Sequence, residues 1–146
     1  MTKIDINETI IKAERASLNV FSVGDPLSRP IILVHGLRDS AKSLLAVASR
    51  LAQKYHVVLP ELRGHGRIQQ FVSYSMPDFL GDLYKVIEQF TDGSCALFGH
   101  SLGGQISSKY AALFPEQIKS LILVEGLGPP SQDNLSELEE INAYRN

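Results

Sequence analysis

Leu97-Phe98-Gly99-His100-Ser101-Leu102-Gly103-Gly104 places a Gly-x-Ser-x-Gly motif between a short apolar run and a stretch with helical periodicity. A serine at a sharp strand-to-helix turn projects its hydroxyl above the sheet, and side chains two residues before and after it would crowd that turn. Gly99 and Gly103 stand at those two positions. Ser94 to Phe98 reads as a buried strand, and Ile106, Tyr110 and Leu113 recur at helical spacing behind the motif. The helix start leaves backbone N–H groups free beneath Ser101, and that of Leu102 is placed to face a developing oxyanion. The bland use of the same residue types is a helix N-cap followed by glycines for close packing. A phosphate-binding loop fits poorly, because Gly99 to Gly104 has neither Gly-x-Gly-x-x-Gly spacing nor a following Gly-Lys-Ser/Thr.

A second run, Pro30-Ile31-Ile32-Leu33-Val34, is apolar throughout and ends in His35-Gly36-Leu37, as a central parallel strand does at the sheet edge that binds ligands. Arg63-Gly64-His65-Gly66 follows the next strand, and the Ser101 motif follows the one beyond. With these three motifs in this order and separation, the chain resembles the alpha/beta hydrolase superfamily from about Ile10 to Pro130. The resemblance implies a serine esterase or acyl hydrolase acting on a small ester or acyl substrate without a cofactor. Ser101 matches the nucleophile, while Leu102 and Leu37 match the two backbone donors of the oxyanion hole. His35 matches the histidine that braces the oxyanion loop, and Gly36, Gly99, His100 and Gly103 are supporting positions. Glu61 stands where the family commonly has Asp.

The remaining elements are read from periodicity and punctuation. Thr9 to Ala13 and Ser17 to Val23 form two strands, closed by Gly24-Asp25-Pro26. Asp39 or Ser40 caps a helix whose apolar face is Leu44, Val47, Ala48, Leu51 and Tyr55, and His56 to Pro60 is the next strand. Ser75-Met76-Pro77-Asp78 is a capped helix start leading into Phe79, Leu83, Val86, Ile87 and Phe90. Lys119 to Val124 is a further strand ending at Glu125-Gly126. Strands alternating with helices predict an α/β fold with a mostly parallel sheet and helices on both faces. The expected organisation is a partial hydrolase core over residues 1–130, and a helical start of a lid or tail over 131–146, where Leu135, Leu138 and Ile141 have helical spacing.

Length limits what the resemblance delivers. The family usually runs to roughly 250 residues or more as one domain, and this sequence has 146. The fold is therefore expected to be truncated after the strand that follows the Ser101 elbow. In the family the acid and the histidine base of the triad come later, so the chain is expected to be catalytically incomplete. Glu125, at the end of a strand beside the elbow, is the candidate surrogate acid, and any of the four histidines needs hydrogen-bond reach of Ser101 to serve as base. If the family strand order holds, Leu121-Ile122-Leu123-Val124 lies at the sheet edge with the composition of a strand buried on both faces. That edge suggests a dimer, or a complementary C-terminal chain paired along 119–124. The alternative function is a non-catalytic hydrolase-like binding module, or one half of a split hydrolase.

Composition removes other classes. A net charge of −2 with interspersed signs gives no basic patch for nucleic acid. No apolar run approaches the ~18 residues of a membrane span, and the first residues lack a signal-peptide core. Single Cys95, in the elbow strand, reads as a small buried residue, with no metal-ligand spacing around it. A cytoplasmic setting is the expectation.

Overall fold

The computed structural model describes residues 4–13, 16–68, 71 and 73–126. Six strands form one sheet: β1 (Ile6–Ala13), β2 (Ala16–Val23), β3 (Arg29–Val34), β4 (Tyr55–Pro60), β5 (Cys95–His100) and β6 (Ile118–Val124). Their order is β1-β2-β4-β3-β5-β6. The β1–β2 and β2–β4 pairs are antiparallel, whereas β4, β3, β5 and β6 run parallel. Among the described residues, three α-helices accompany the sheet, α1 (Leu45–Leu51), α2 (Met76–Phe90) and α3 (Leu102–Leu113).

Two packed layers explain the unbroken apolar runs. In β3, Ile32 and Val34 join Val58, Leu97 and the residues of α2 and α3, including Leu80, Ile106 and Tyr110. Ile31 and Leu33 point the other way, to Val57, Leu59, Ala41 and Ala48 on the α1 side. A strand covered on both faces has no polar face to display. Each fully buried Leu or Ile of this kind contributes on the order of 2 kcal/mol through removal of apolar surface from water.

Local chemistry sets the ends. Ser75 and Asp78 form the expected capping box at the start of α2, with Pro77 in its first turn, so two orphan backbone donors are satisfied reciprocally. The helix expected from Asp39 or Ser40 is a 3-10 turn, Ala41–Leu44, capped by the Ser40 side chain and continuing into the short α1. Tyr55, assigned by spacing to that helix face, is instead the first residue of β4, where it pairs with Arg29 of β3. Ladder pairing outweighs the helical spacing there. The elbow strand also extends beyond Phe98 to His100.

β6 is the outer strand of the described sheet. Leu121, Ile122, Leu123 and Val124 are 37–46% exposed, so among the described residues the strand is only partly covered. The tail expected over 131–146 lies outside the described residues. None of the described helices is long and apolar enough to cross a membrane.

Candidate active site

β5 delivers the chain to Ser101 at the edge of the sheet, and α3 starts at the next residue. Ser101 has φ 52° and ψ −117°, a conformation that L-residues rarely adopt and that surrounding structure must impose. Its carbonyl accepts from the Gly104 N–H at 2.8 Å and the Gln105 N–H at 3.1 Å, and its own N–H donates to Val124 O at 3.0 Å. The turn is thus tied to both α3 and β6. A Cβ on Gly99 would overlap the Gly103 backbone and stand 2.6 Å from Ser107 Oγ, and one on Gly103 would overlap the carbonyls of Val34 and His35. Bare glycine backbone at both positions lets the helix press against the ends of β3 and β5.

The loop after β3 lies against this turn. The point at which a Gly36 Cβ would stand is 3.2 Å from Ser101 Cβ and 3.3 Å from His100 Nδ1. Leu37, next in the chain, turns its side chain to solvent at 63% exposure. Arg38 has φ 58°, and Asp39 N–H closes the turn onto Gly36 O at 3.3 Å. Among the described residues, the non-glycine positions with positive φ are Arg38, Ser101 and Glu125. All three sit at the carboxyl edge of the parallel strands, so backbone strain gathers where the three sequence motifs converge.

His35 is fully buried and its tautomer follows from its partners. Nδ1 donates to Gly36 O at 2.8 Å, and Nε2 accepts from the Leu62 N–H at 3.0 Å. Glu61 Oε1 also lies 3.3 Å from Nε2. One ring nitrogen cannot accept from the first and donate to the second, and the shorter backbone contact fixes the neutral form. Burial works against the Glu61 charge, but the hydrogen bond donated by the Ala41 N–H at 2.5 Å helps hold the carboxyl below its ordinary range. Gly66 makes room for this longer acid, since a Cβ there would run into the Glu61 carboxylate.

The other three histidines divide by position. His65 accepts the Arg38 N–H at Nε2 (3.0 Å) and donates from Nδ1 to Arg63 O (3.0 Å). His56, in β4 beside Pro30, lies toward the opposite edge of the sheet, and burial lowers its pKa. His100 holds Nε2 3.5 Å from Glu125 Oε2, with the Glu125 side chain 82% exposed. Glu125 therefore faces His100. Among the described residues no partner accepts from or donates to the Ser101 hydroxyl, and none accepts from the N–H of Leu37 or Leu102.

Two arrangements were not anticipated from the sequence. Arg63 is 3% exposed and reaches into α2, where Asp82 receives it bidentately at 2.8 Å and Asp78 stands 3.3 Å away. The pairing of His65 with the Arg38 amide is the second. A cleft of about 670 Å3 opens at the far, amino edge of the strands between Arg29, Tyr55, Phe90, Asp92 and Lys119, and no sequence-predicted site residue lines it. Cys95, at the start of β5, is buried, which pushes its thiol up to about 12.

Comparison with known proteins places this geometry in context. The family model described as alpha/beta hydrolase fold matches residues 29–144. A serine hydrolase-like protein of Mus musculus is 28% identical over 125 residues, covering 84% of this chain and 40% of that protein. A 3-hydroxybutyrate-oligomer hydrolase of Cupriavidus necator is 31% identical, with 83% of this chain and 42% of its own length aligned. Among solved structures, a thioesterase domain from the curacin biosynthetic pathway superposes with a TM-score of 0.81 at 31% identity, over 96% of this chain and 53% of that one. The chain thus spans less than half the length of the two curated relatives and about half of the thioesterase domain.

Proposed function

The chain belongs to the alpha/beta hydrolase fold family, and on that premise we propose that it is a serine hydrolase-like chain whose Ser101 attacks the carbonyl of a small ester or acyl substrate. Ser101 Oγ forms the new bond to the acyl carbon while its proton passes to a base. The carbonyl oxygen takes the negative charge and receives hydrogen bonds from the Leu37 and Leu102 amides. Collapse of the adduct releases the alcohol or thiol, and water then frees the acid and restores the serine. The observation that carries this reading is the strained Ser101 turn at the carboxyl edge, with the Gly36 backbone against it and no acceptor among the described residues for the N–H of Leu37 or Leu102. The similarity to a thioesterase and to an oligomer hydrolase supports the same acyl centre.

Proton removal is the demanding step. His35 and His65 have both ring nitrogens engaged, and His56 is remote. The exposed Glu125–His100 pair is what the described residues offer beside the elbow, with Glu125 as the surrogate acid. Without a base in line with Ser101, turnover by these residues is predicted to be weak, since base removal in another serine hydrolase costs about 10⁶ in kcat. Hydrolysis of a short-chain p-nitrophenyl ester by the 146-residue chain, compared with Ser101→Ala, tests the reading. A Ser101-dependent rate supports it; equal rates at the uncatalysed level count against it.

The exposed β6 favours a second reading, in which this chain pairs along 119–124 with a complementary C-terminal polypeptide. A chain that stays a monodisperse monomer by light scattering at high concentration would count against self-pairing there.

A further inference from the structure

We propose that His65 is a positioning residue of the Leu37 amide, acting with His35 as a reciprocal clasp between two loops, and that protonation of His65 opens the clasp; this rests on Leu37 serving as an oxyanion donor. The two links mirror each other. His35, on the loop after β3, accepts the Leu62 N–H of the loop after β4. His65, on the loop after β4, accepts the Arg38 N–H of the loop after β3. In each case Nδ1 donates to a main-chain carbonyl of its own loop, Gly36 O for His35 and Arg63 O for His65. The rings meet edge to face with centroids 5.2 Å apart.

Peptide planarity turns these links into an aiming device. The Gly36–Leu37 peptide is held at its oxygen by His35 Nδ1–H and Asp39 N–H. In a trans peptide the Leu37 N–H points opposite to that oxygen, so fixing one fixes the other. The Leu37–Arg38 peptide is held at its N–H by His65 Nε2. Both planes flanking Leu37 are therefore pinned. Arg38, at φ 58°, is a position where the backbone relaxes if a link is lost.

Only a neutral imidazole accepts a hydrogen bond at Nε2. When protonated, His35 has Glu61 Oε1 at 3.3 Å as a ready acceptor. His65 Nε2 faces the Arg38 N–H, and two donors then oppose each other. The charged and titratable groups around the pair are Glu61, which feels both rings, Asp39, which feels His35, and Arg38 and Arg63, the latter with its guanidinium turned to Asp82 and Asp78. A proton on His65 Nε2 therefore removes the link to Arg38, whereas one on His35 finds the Glu61 acceptor.

The test uses the 146-residue chain as wild type, His65→Gln and His65→Ala, with two readouts. One is the exchange of the Arg38 amide measured by NMR and corrected for intrinsic exchange. The other is the rate at which a fluorophosphonate labels Ser101. Loss of one net hydrogen bond corresponds to roughly a five- to tenfold faster exchange, which is the expectation for His65→Ala together with slower labelling. Gln keeps an acceptor that does not titrate, so His65→Gln is expected to retain Arg38 protection and labelling at neutral pH and to lose the acid decline of that protection. Unchanged Arg38 exchange in His65→Ala, or an acid loss of Arg38 protection that survives in His65→Gln, would overturn the proposal. A wild-type chain that never labels at Ser101 would overturn the nucleophile reading, whereas the exchange at Arg38 judges the clasp independently.

Discussion

At Gly103 a single added carbon would strike the carbonyls of two residues of the β3 end, Val34 and His35. The helix must retreat from the sheet to admit it, and Gly103→Ala is predicted to cost about 2–4 kcal/mol by urea denaturation. Gly93 makes the contrast. A Cβ there meets nothing within 4 Å, but φ is 100°, so Gly93→Ala is predicted to cost only about 1 kcal/mol, through backbone strain. Equal losses at the two sites would contradict the crowding argument. The glycines around Ser101 were legible in the sequence because their role is local, a spacing of two residues on either side. His65 was not, because its partner lies 27 positions away and no spacing rule connects a glycine-rich loop to the amide of another.

The loop after β4 and helix α2 are joined by charge. Arg63 is almost fully buried and its permanent charge is met by Asp82 on two oxygens and by Asp78 on a third. Removing one partner strands a buried charge, so Asp82→Ala is predicted to cost about 3–5 kcal/mol, whereas the double change Arg63→Met with Asp82→Leu recovers most of it. Chemical denaturation of the three chains checks this; an additive loss in the double variant would contradict it. The strands and their alternation with helices were readable from apolar runs, and the α2 start from its Ser-x-x-Asp signal. α1 was overextended by spacing, because Tyr55 continues a helical apolar pattern yet is claimed by the ladder with Arg29. Helical periodicity cannot weigh a strand partner that is distant in sequence.

Across the molecule, the titrating groups fix how stability varies with pH. Burial depresses His56 below its ordinary 6.5. A depressed histidine contributes stability above its unfolded pKa, and that is lost as pH falls through the folded value. Asp78 and Glu61 act in the same sense lower down. Burial opposes their charge, but hydrogen bonds from Ser73 and Ser75 to Asp78, and from the Ala41 N–H to Glu61, hold both below the ordinary 3.8 and 4.5. Their contribution is present above those values and disappears beneath them. Asp82, raised by burial against the pull of Arg63, runs oppositely and contributes most where it is protonated. Stability is therefore predicted to decline first as pH falls below about 6.5 and again below about 4, and His56→Asn is predicted to shrink the first step and leave the second. A thermal unfolding midpoint unchanged from pH 7 to pH 4 would contradict this. The whole account turns on Ser101 being a reactive nucleophile at the carboxyl edge of the sheet. The most direct measurement is the intact mass of the chain after exposure to a fluorophosphonate, with the adduct mapped by peptide fragmentation. A slowly formed adduct, located on Ser101 and absent from Ser101→Ala, is the predicted result; no adduct, or one that persists in Ser101→Ala, would contradict it.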